Sequence, residues 1–106
     1  MAKVLQKLTP QIQQLLGDKL NKIVIFGSYA QGDNTEWSDV DILVLTNITP
    51  QENNAIFHEL NRLFSRLGLE HDILLSLCLI DKASYDIRKE FQPFYKNIEK
   101  EGVVLY

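Results

Sequence analysis

The sequence predicts an α/β domain in which helices cover one small β-sheet. Three observations support this fold class: two long segments with apolar residues at helical spacing, three short runs rich in β-branched and apolar residues, and turn-forming residues between them. The chain has 106 residues, of which 45% are hydrophobic and 24% are charged, as in one ordinary globular domain. Because no internal repeat or linker divides it, residues 1–106 are expected to form a single domain.

The first half of the chain predicts one helix and two strands. Apolar residues recur every three or four positions over 3–20, with Pro10 at the start of the helix or at a kink within it. The β-branched and aromatic run 22–26 predicts a short buried strand. Residues 32–38 are polar turn formers without a period, so we expect a surface loop there, followed by a second strand over 39–45.

The second long helix has a well-marked start. Thr49 is suited to cap it, Pro50 fits the first helical position, and Glu52 stands where it completes a capping box. The helical spacing of apolar residues continues to Gly68, the residue type expected just past a helix end. The sequence therefore predicts a helix that ends at Gly68.

The last third of the chain predicts a strand, two short helices and an edge strand. The nearly all-apolar run 71–80 predicts a third strand that is buried on both faces. Asp81 is the expected N-cap of a helix over 82–90, and a second helix is expected over 93–100. Residues 103–106 are apolar and predict an edge strand.

The composition excludes several classes of protein. The single cysteine, Cys78, and two histidines provide neither a disulfide framework nor a zinc finger, and they fit a reducing compartment. The N-terminal segment lacks the apolar core and cleavage site of a signal peptide, and no apolar run reaches membrane-spanning length. A cytoplasmic protein without membrane contact is therefore expected. The formal net charge of −3 argues against direct binding to nucleic acid.

The residues best suited to chemistry lie at the ends of the first two predicted strands. The run Gly27-Ser28-Tyr29-Ala30-Gln31-Gly32 follows the first strand, and Ser38-Asp39-Val40-Asp41 begins the second. A glycine at a strand end lets a ligand approach the backbone, and a serine that opens a short helix adds a hydroxyl and free amide donors, which suits a phosphate group. Asp39 and Asp41 stand two apart in a strand and so project from the same face.

These carboxylates predict a metal-dependent reaction at phosphorus. Neighbouring carboxylates repel each other, and Mg²⁺, which prefers oxygen ligands, relieves that repulsion. Asp72 stands at the start of the predicted third strand and is expected to converge on the same end of the sheet. Three carboxylates can hold two metal ions, which stabilise the attacking and leaving oxygens of an in-line displacement, and a carboxylate can take the proton of the nucleophile. Phosphoryl or nucleotidyl transfer is the predicted reaction class.

The run 27–32, followed by Ser38-Asp39-Val40-Asp41-Ile42-Leu43-Val44, resembles the signature of the DNA polymerase β-like nucleotidyltransferase superfamily. The short chain points to its minimal nucleotidyltransferase (MNT) branch, whose members are commonly antitoxins paired with HEPN-domain toxins. The resemblance covers most of the chain. It implies a palm-type α/β fold with a small mixed sheet and helices packed on it.

The resemblance also implies roles for individual residues. The nucleotide-binding residues that it implies are Gly27, Ser28, Gln31 and Ser38. The implied catalytic residues and ligands of two Mg²⁺ ions are Asp39, Asp41 and Asp72. Asp72 is the third acid in this pattern, which assists the metal and deprotonates the acceptor hydroxyl. For antitoxin members the implied reaction is transfer of AMP from ATP to a tyrosine of the partner HEPN toxin.

Two other functions stay open at this point. One is a nucleotidyltransferase with a small-molecule acceptor, but 106 residues leave no room for an acceptor-binding domain, so the acceptor surface is expected from a partner or from a second subunit. The other is a degenerate module that neutralises a toxin by covering it. Gln31 favours this alternative, because the antitoxin pattern usually has arginine there and a neutral amide binds a triphosphate less well. The three acids argue against it, since their mutual repulsion costs stability without a metal.

Overall fold

The computed structural model describes residues 2–27 and 39–106. The helices of this part are α1 (Ala2–Leu16), α2 (Pro50–His71), α3 (Lys82–Arg88) and α4 (Pro93–Glu101). The strands are β1 (Leu20–Phe26), β2 (Val40–Thr46), β3 (Leu75–Asp81) and β4 (Val103–Val104). A single 3-10 turn, Gly17–Lys19, joins α1 to β1. The α/β class and the order of these elements agree with the prediction.

The four strands form one mixed sheet in the order β3-β2-β1-β4. Strand β1 runs antiparallel to β2 and β4, whereas β2 and β3 are parallel and are connected through α2. Asp41 of β2 is paired with Phe26 on one side and with Ser76 on the other. The C-terminal end of β1 therefore lies beside the N-terminal ends of β2 and β3.

Two separate apolar clusters cover the two faces of this sheet. Alternate residues of β2 supply both clusters, because successive side chains of a strand point to opposite faces. The cluster on the first face joins α1 and α2 to the sheet, and its fully buried members include Leu8, Ile12, Ile42, Leu60 and Phe64. The cluster on the second face joins α3 and α4 to the sheet and consists of Val24, Leu43, Leu45, Ile80, Tyr85, Tyr95 and Ile98.

Helix α2 begins as predicted. The Thr49 hydroxyl accepts a hydrogen bond from the Glu52 amide at 3.2 Å, and the Glu52 carboxylate accepts one from the Thr49 amide at 3.2 Å, with Pro50 at the first helical position. Helix α3 also begins as predicted, since the Asp81 carboxylate accepts a hydrogen bond from the Ser84 amide at 2.9 Å. Within residues 2–27 and 39–106, no helix is long and apolar enough to cross a membrane.

The end of α2 was predicted incorrectly. The helix does not end at Gly68 but continues to His71, and Gly68 is buried inside it. A Cβ atom at this position would lie 2.5 Å from the carbonyl oxygen of Ile73, so the glycine permits the chain after the helix to fold back closely. Asp72 follows as the C-cap in a left-handed conformation with φ 55° and ψ 45°. The predicted place of Asp72 in the third strand is therefore wrong, because β3 begins only at Leu75.

The end of the first helix and the burial of β3 also differ from the prediction. The first helix ends at Leu16 rather than at Leu20, because Gly17 takes a positive φ of 54° and Leu20 already belongs to β1. Strand β3 is not buried on both faces, since residues 76–79 are half-buried. It forms the outer strand of the sheet, with β2 on one side, so the helices cover it less completely than they cover β2.

Candidate active site

The site is built around the close approach of Gly27 to Asp41. Gly27 directly follows β1 and has a φ of 81°, a conformation that side chains rarely permit. A Cβ atom on it would lie 2.6 Å from the Oδ2 atom of Asp41, well inside van der Waals contact. Both the backbone conformation and the space therefore require glycine. Because Gly27 has no side chain, a group bound to the Asp41 carboxylate can approach the backbone at the end of β1.

Asp39 and Asp41 form a pair of interacting carboxylates. Asp41 is half-buried at the second position of β2, and Asp39 is exposed just before the strand. Burial raises the pKa of the Asp41 carboxyl, and the negative charge of Asp39 raises this pKa further. A cation between the two carboxylates would remove that penalty. Mg²⁺ is commonly held by one or two carboxylates together with substrate phosphates, so this pair fits the ion.

Asp72 does not join this pair. In the part of the chain that the structure describes, no group of three or more His, Cys, Asp or Glu side chains lies close enough to hold a metal ion. The physical reason is the longer α2, which places Asp72 at a helix end, outside the sheet. The residue beside Asp41 on β3 is Ser76, and paired residues of neighbouring strands project from the same face. A hydroxyl thus occupies the position where a third carboxylate would meet Asp41.

Three of the predicted nucleotide-binding residues, Ser28, Gln31 and Ser38, lie outside the described residues. Their roles therefore stay predictions. Of the nucleotide-binding set, Gly27 is described, and it lies directly against the carboxylate of Asp41.

A cavity of about 250 Å³ opens beside Asp41 on the face of the sheet that α4 covers. Its lining residues are Phe26, Gly27, Asp41, Phe94, Asn97, Ile98, Glu101 and Gly102. The sequence did not point to the α4 residues of this cavity, because a charged helix near the end of a chain is typical of a solvated surface. Only the tertiary packing of α4 against the end of β1 brings them to the site.

A family of known proteins identifies the type of protein to which this chain belongs. The model of the nucleotidyltransferase domain matches residues 5–106. The chain belongs to this family. This nucleotidyltransferase is therefore the type of enzyme that its signature predicts.

Relatives of known name agree with this assignment. A protein of Methanocaldococcus jannaschii named "Putative protein adenylyltransferase" is 37% identical over 81 residues, which cover 74% of this chain and 78% of the relative. A second protein of the same name from that organism is 32% identical over 88 residues, which cover 83% of this chain and 80% of the relative.

Solved structures share the fold. The crystal structure of "a putative nucleotidyltransferase from Sulfolobus solfataricus" superimposes with a TM-score of 0.69 at 20% identity, and the match covers 100% of this chain and 79% of that one. A crystal structure of a toxin-antitoxin with AMP-PNP gives a TM-score of 0.55 at 23% identity, covering 95% of this chain and 72% of the other. These likenesses confirm the nucleotidyltransferase fold.

Proposed function

We propose that this nucleotidyltransferase transfers AMP from ATP to a hydroxyl group of a partner protein in a Mg²⁺-dependent reaction. The observation that carries the proposal is the pair of interacting carboxylates Asp39 and Asp41, of which Asp41 lies so close to Gly27 that a Cβ atom there would meet its carboxylate. A pair of carboxylates beside an open backbone suits a metal-bound triphosphate better than a neutral ligand.

Asp39 and Asp41 would hold the magnesium. When bound, the metal neutralises phosphate charge and stabilises the charge that develops on the attacking and leaving oxygens. The sequence predicted two ions held by three acids. The described residues supply two of these acids at one place, so the phosphates of ATP and water would complete the coordination.

The residues of this chain position the reactants. The Gly27 backbone would admit the triphosphate, and the two carboxylates would hold the cation that offsets their repulsion of the α-phosphate. The acceptor oxygen forms a bond to the α-phosphorus as the bond to the β-phosphate oxygen breaks, and pyrophosphate leaves. The proton of the acceptor hydroxyl would pass to a nearby carboxylate or to water.

We propose a tyrosine of a HEPN-type toxin as the acceptor, with this chain as the cytoplasmic antitoxin. The names of the relatives from Methanocaldococcus jannaschii favour a protein acceptor over a small molecule. The fold shared with a toxin-antitoxin structure that contains AMP-PNP favours a toxin as the partner and an adenine nucleotide as the substrate. The HEPN class and the tyrosine rest on the resemblance of the signature to antitoxins of the MNT branch.

The test is to incubate the purified protein with Mg²⁺ and ATP labelled at the α-phosphate in a lysate of its source cells. We expect label on one discrete protein, whose modified residue mass spectrometry then identifies. The double variant Asp39→Asn/Asp41→Asn should label it at least about 100-fold less, because even residues that only support metal ligands commonly cost 10- to 100-fold. ATP that binds without any protein labelling would contradict transfer to a protein and favour the binding module or a small-molecule acceptor.

A second variant, Asp72→Asn, tests the role predicted for the third acid. Asparagine tolerates the left-handed conformation of this C-cap, so the fold should be retained. Since Asp72 lies outside the carboxylate pair, we expect labelling within about twofold of the wild type. A loss as large as that of the double variant would instead establish Asp72 as the third acid.

A further inference from the structure

The wall of the site that faces Asp41 is one side of α4. Phe94, Asn97 and Glu101 follow one another at spacings of three and four residues, which places them on one face of the helix. All three line the cavity beside Gly27 and Asp41. An aromatic ring, an amide and a carboxylate are thus presented to the position proposed for the triphosphate.

The ring of Phe94 is held in place while much of it stays accessible. It packs edge-to-face with Phe26 at a centroid distance of 5.6 Å and with Tyr95 at 5.0 Å. Nevertheless 50% of the residue is exposed. A fixed aromatic ring with an accessible surface is suited to stacking on a flat heterocycle, and each base stacked in this way strengthens binding of a nucleic acid.

Asn97 supplies the polar group of the same wall. It is exposed, and its side chain makes no hydrogen bond to the other residues that the structure describes. An asparagine amide can both donate to a ring nitrogen and accept from the amino group of adenine, whereas guanine presents two acceptors on the corresponding edge. Its chemistry therefore distinguishes adenine from guanine.

The size and place of the cavity indicate which part of a nucleotide it can take. Its volume of about 250 Å³ is below the ~300 Å³ at which sites begin to enclose a whole drug-sized ligand. Base and α-phosphate are attached to the same ribose, so the cavity beside Asp41 lies within reach of the base of a nucleotide whose α-phosphate is bound there. A larger groove of about 590 Å³ between α1 and α2 lies on the opposite face of the sheet and cannot serve this purpose.

We infer that this cavity receives the adenine base of the nucleoside triphosphate, with Phe94 stacking on the base and Asn97 pairing with its amino edge. The inference rests on the proposed function, because it takes the triphosphate to be bound at Asp41. It makes Phe94 the residue that sets affinity for the base and Asn97 the residue that sets the preference for ATP over GTP.

The test compares three probes, each with Mg²⁺: AMP-PNP, its guanine counterpart GMP-PNP, and inorganic tripolyphosphate, which has no base. Titration calorimetry gives the dissociation constant for the wild type, for Phe94→Leu and for Asn97→Ala. Phe94→Leu should weaken both nucleotides by about 10-fold, and Asn97→Ala should reduce the preference for AMP-PNP over GMP-PNP by about 10-fold. Neither variant should change the affinity for tripolyphosphate.

Two matched controls lie elsewhere on the surface. Phe91→Leu removes a ring that is 79% exposed just before α4, and Asn54→Ala removes an exposed amide on α2. Both should bind all three probes as the wild type does.

The outcomes separate this inference from the proposed function. Unchanged AMP-PNP and GMP-PNP affinities in Phe94→Leu and Asn97→Ala would overturn the inference and leave the transferase proposal intact. The inference would also be overturned if these variants kept their nucleotide affinity but labelled the acceptor protein less, because the cavity would then belong to the acceptor. A wild type that binds none of the three probes would overturn both.

Discussion

The two faces of the sheet differ in what their side chains do. The face under α1 and α2 is covered by apolar residues that are almost completely buried, including Ile42 and Phe64. The face under α3 and α4 carries a smaller cluster, and beside it lie the half-buried Asp41 and the half-exposed Phe94. One face thus supplies most of the burial that stabilises the fold, which leaves the other free to keep a charged group and a cavity.

The two ends of β2 show the same contrast for polar groups. At its last residue, Thr46 is completely buried and donates a hydrogen bond of 2.7 Å to the Asn53 side chain, so both groups are satisfied. At its beginning, Asp41 is half-buried next to a like charge, which raises the pKa of its carboxyl. The buried polar group that supports the fold has a hydrogen-bond partner. The carboxylate at the site instead has an unfavourable charge interaction, which a bound cation would offset.

The largest loss of stability should come from a substitution in the face under α1 and α2. Phe64→Ala removes a ring that is only 1% exposed and should lower the free energy of unfolding by about 3–5 kcal/mol. Phe94→Ala, in the second face, should cost less than about 1.5 kcal/mol because half of that residue is already exposed. Urea denaturation followed by circular dichroism measures both values. Equal losses would mean that the two faces do not differ in their contribution to stability.

A pair of glycines sharpens the comparison at the site. Gly27→Ala should cost about 2 kcal/mol or more, because it adds backbone strain at a positive φ to a clash with the Asp41 carboxylate, and it should abolish binding of Mg²⁺-ATP. Gly17→Ala is the matched control: its φ is also positive, but the added Cβ would meet no atom within 4 Å. That variant should cost about 1 kcal/mol and leave nucleotide binding unchanged. Denaturation and calorimetry on the two variants separate strain from the loss of the site.

At the far end of β2, Thr46→Val should reduce the free energy of unfolding by about 1–2 kcal/mol, because it leaves the buried Asn53 carbonyl without its donor. Thermal denaturation of the single variant and of Thr46→Val/Asn53→Leu provides the measurement. The double variant should recover part of the loss, since it removes both polar partners. A single variant as stable as the wild type would show that this buried pair does not support the fold.

The smallest predicted effect is a gain in stability rather than a loss. Because the pKa of Asp41 is raised in the folded state, its charge destabilises the fold above that pKa, and the penalty disappears as the pH falls below 3.8, the value for an ordinary Asp carboxyl. Without Mg²⁺, Asp41→Asn should therefore melt slightly above the wild type at pH 7 and at the same temperature at pH 3. With Mg²⁺ and ATP the wild type should melt above the variant, because only the wild type keeps both carboxylates that hold the metal. Melting curves across this pH range test each of these relations.

The sequence allowed the local features of the fold to be predicted. The capping box at Thr49 and the cap at Asp81 depend on residues close together in the chain. The end of α2 could not be predicted in this way, because glycine is the residue type expected just past a helix end, whereas Gly68 is required inside the helix by its close approach to Ile73. Helical spacing alone does not distinguish these two uses of a glycine.

In the candidate site, too, only the residues that lie close together in the chain could be predicted. Gly27 and the Asp39–Asp41 pair follow from a short signature at strand ends. Ser76 could not be found without the register of β3 against β2, and Asn97 could not be found without the packing of α4. Strand register and helix packing depend on long-range contacts, and one sequence contains no direct signal of either.

The position of α4 in the chain has a consequence during protein synthesis. Gly27 and Asp41 leave the ribosome before α4, which makes the opposite wall of the cavity. After α4, the Leu105 amide donates a hydrogen bond of 2.8 Å to the Ile23 carbonyl and so ties the segment that follows α4 to β1. A nascent chain therefore has its carboxylates before it has its cavity, and the complete site forms only after α4 has been synthesised.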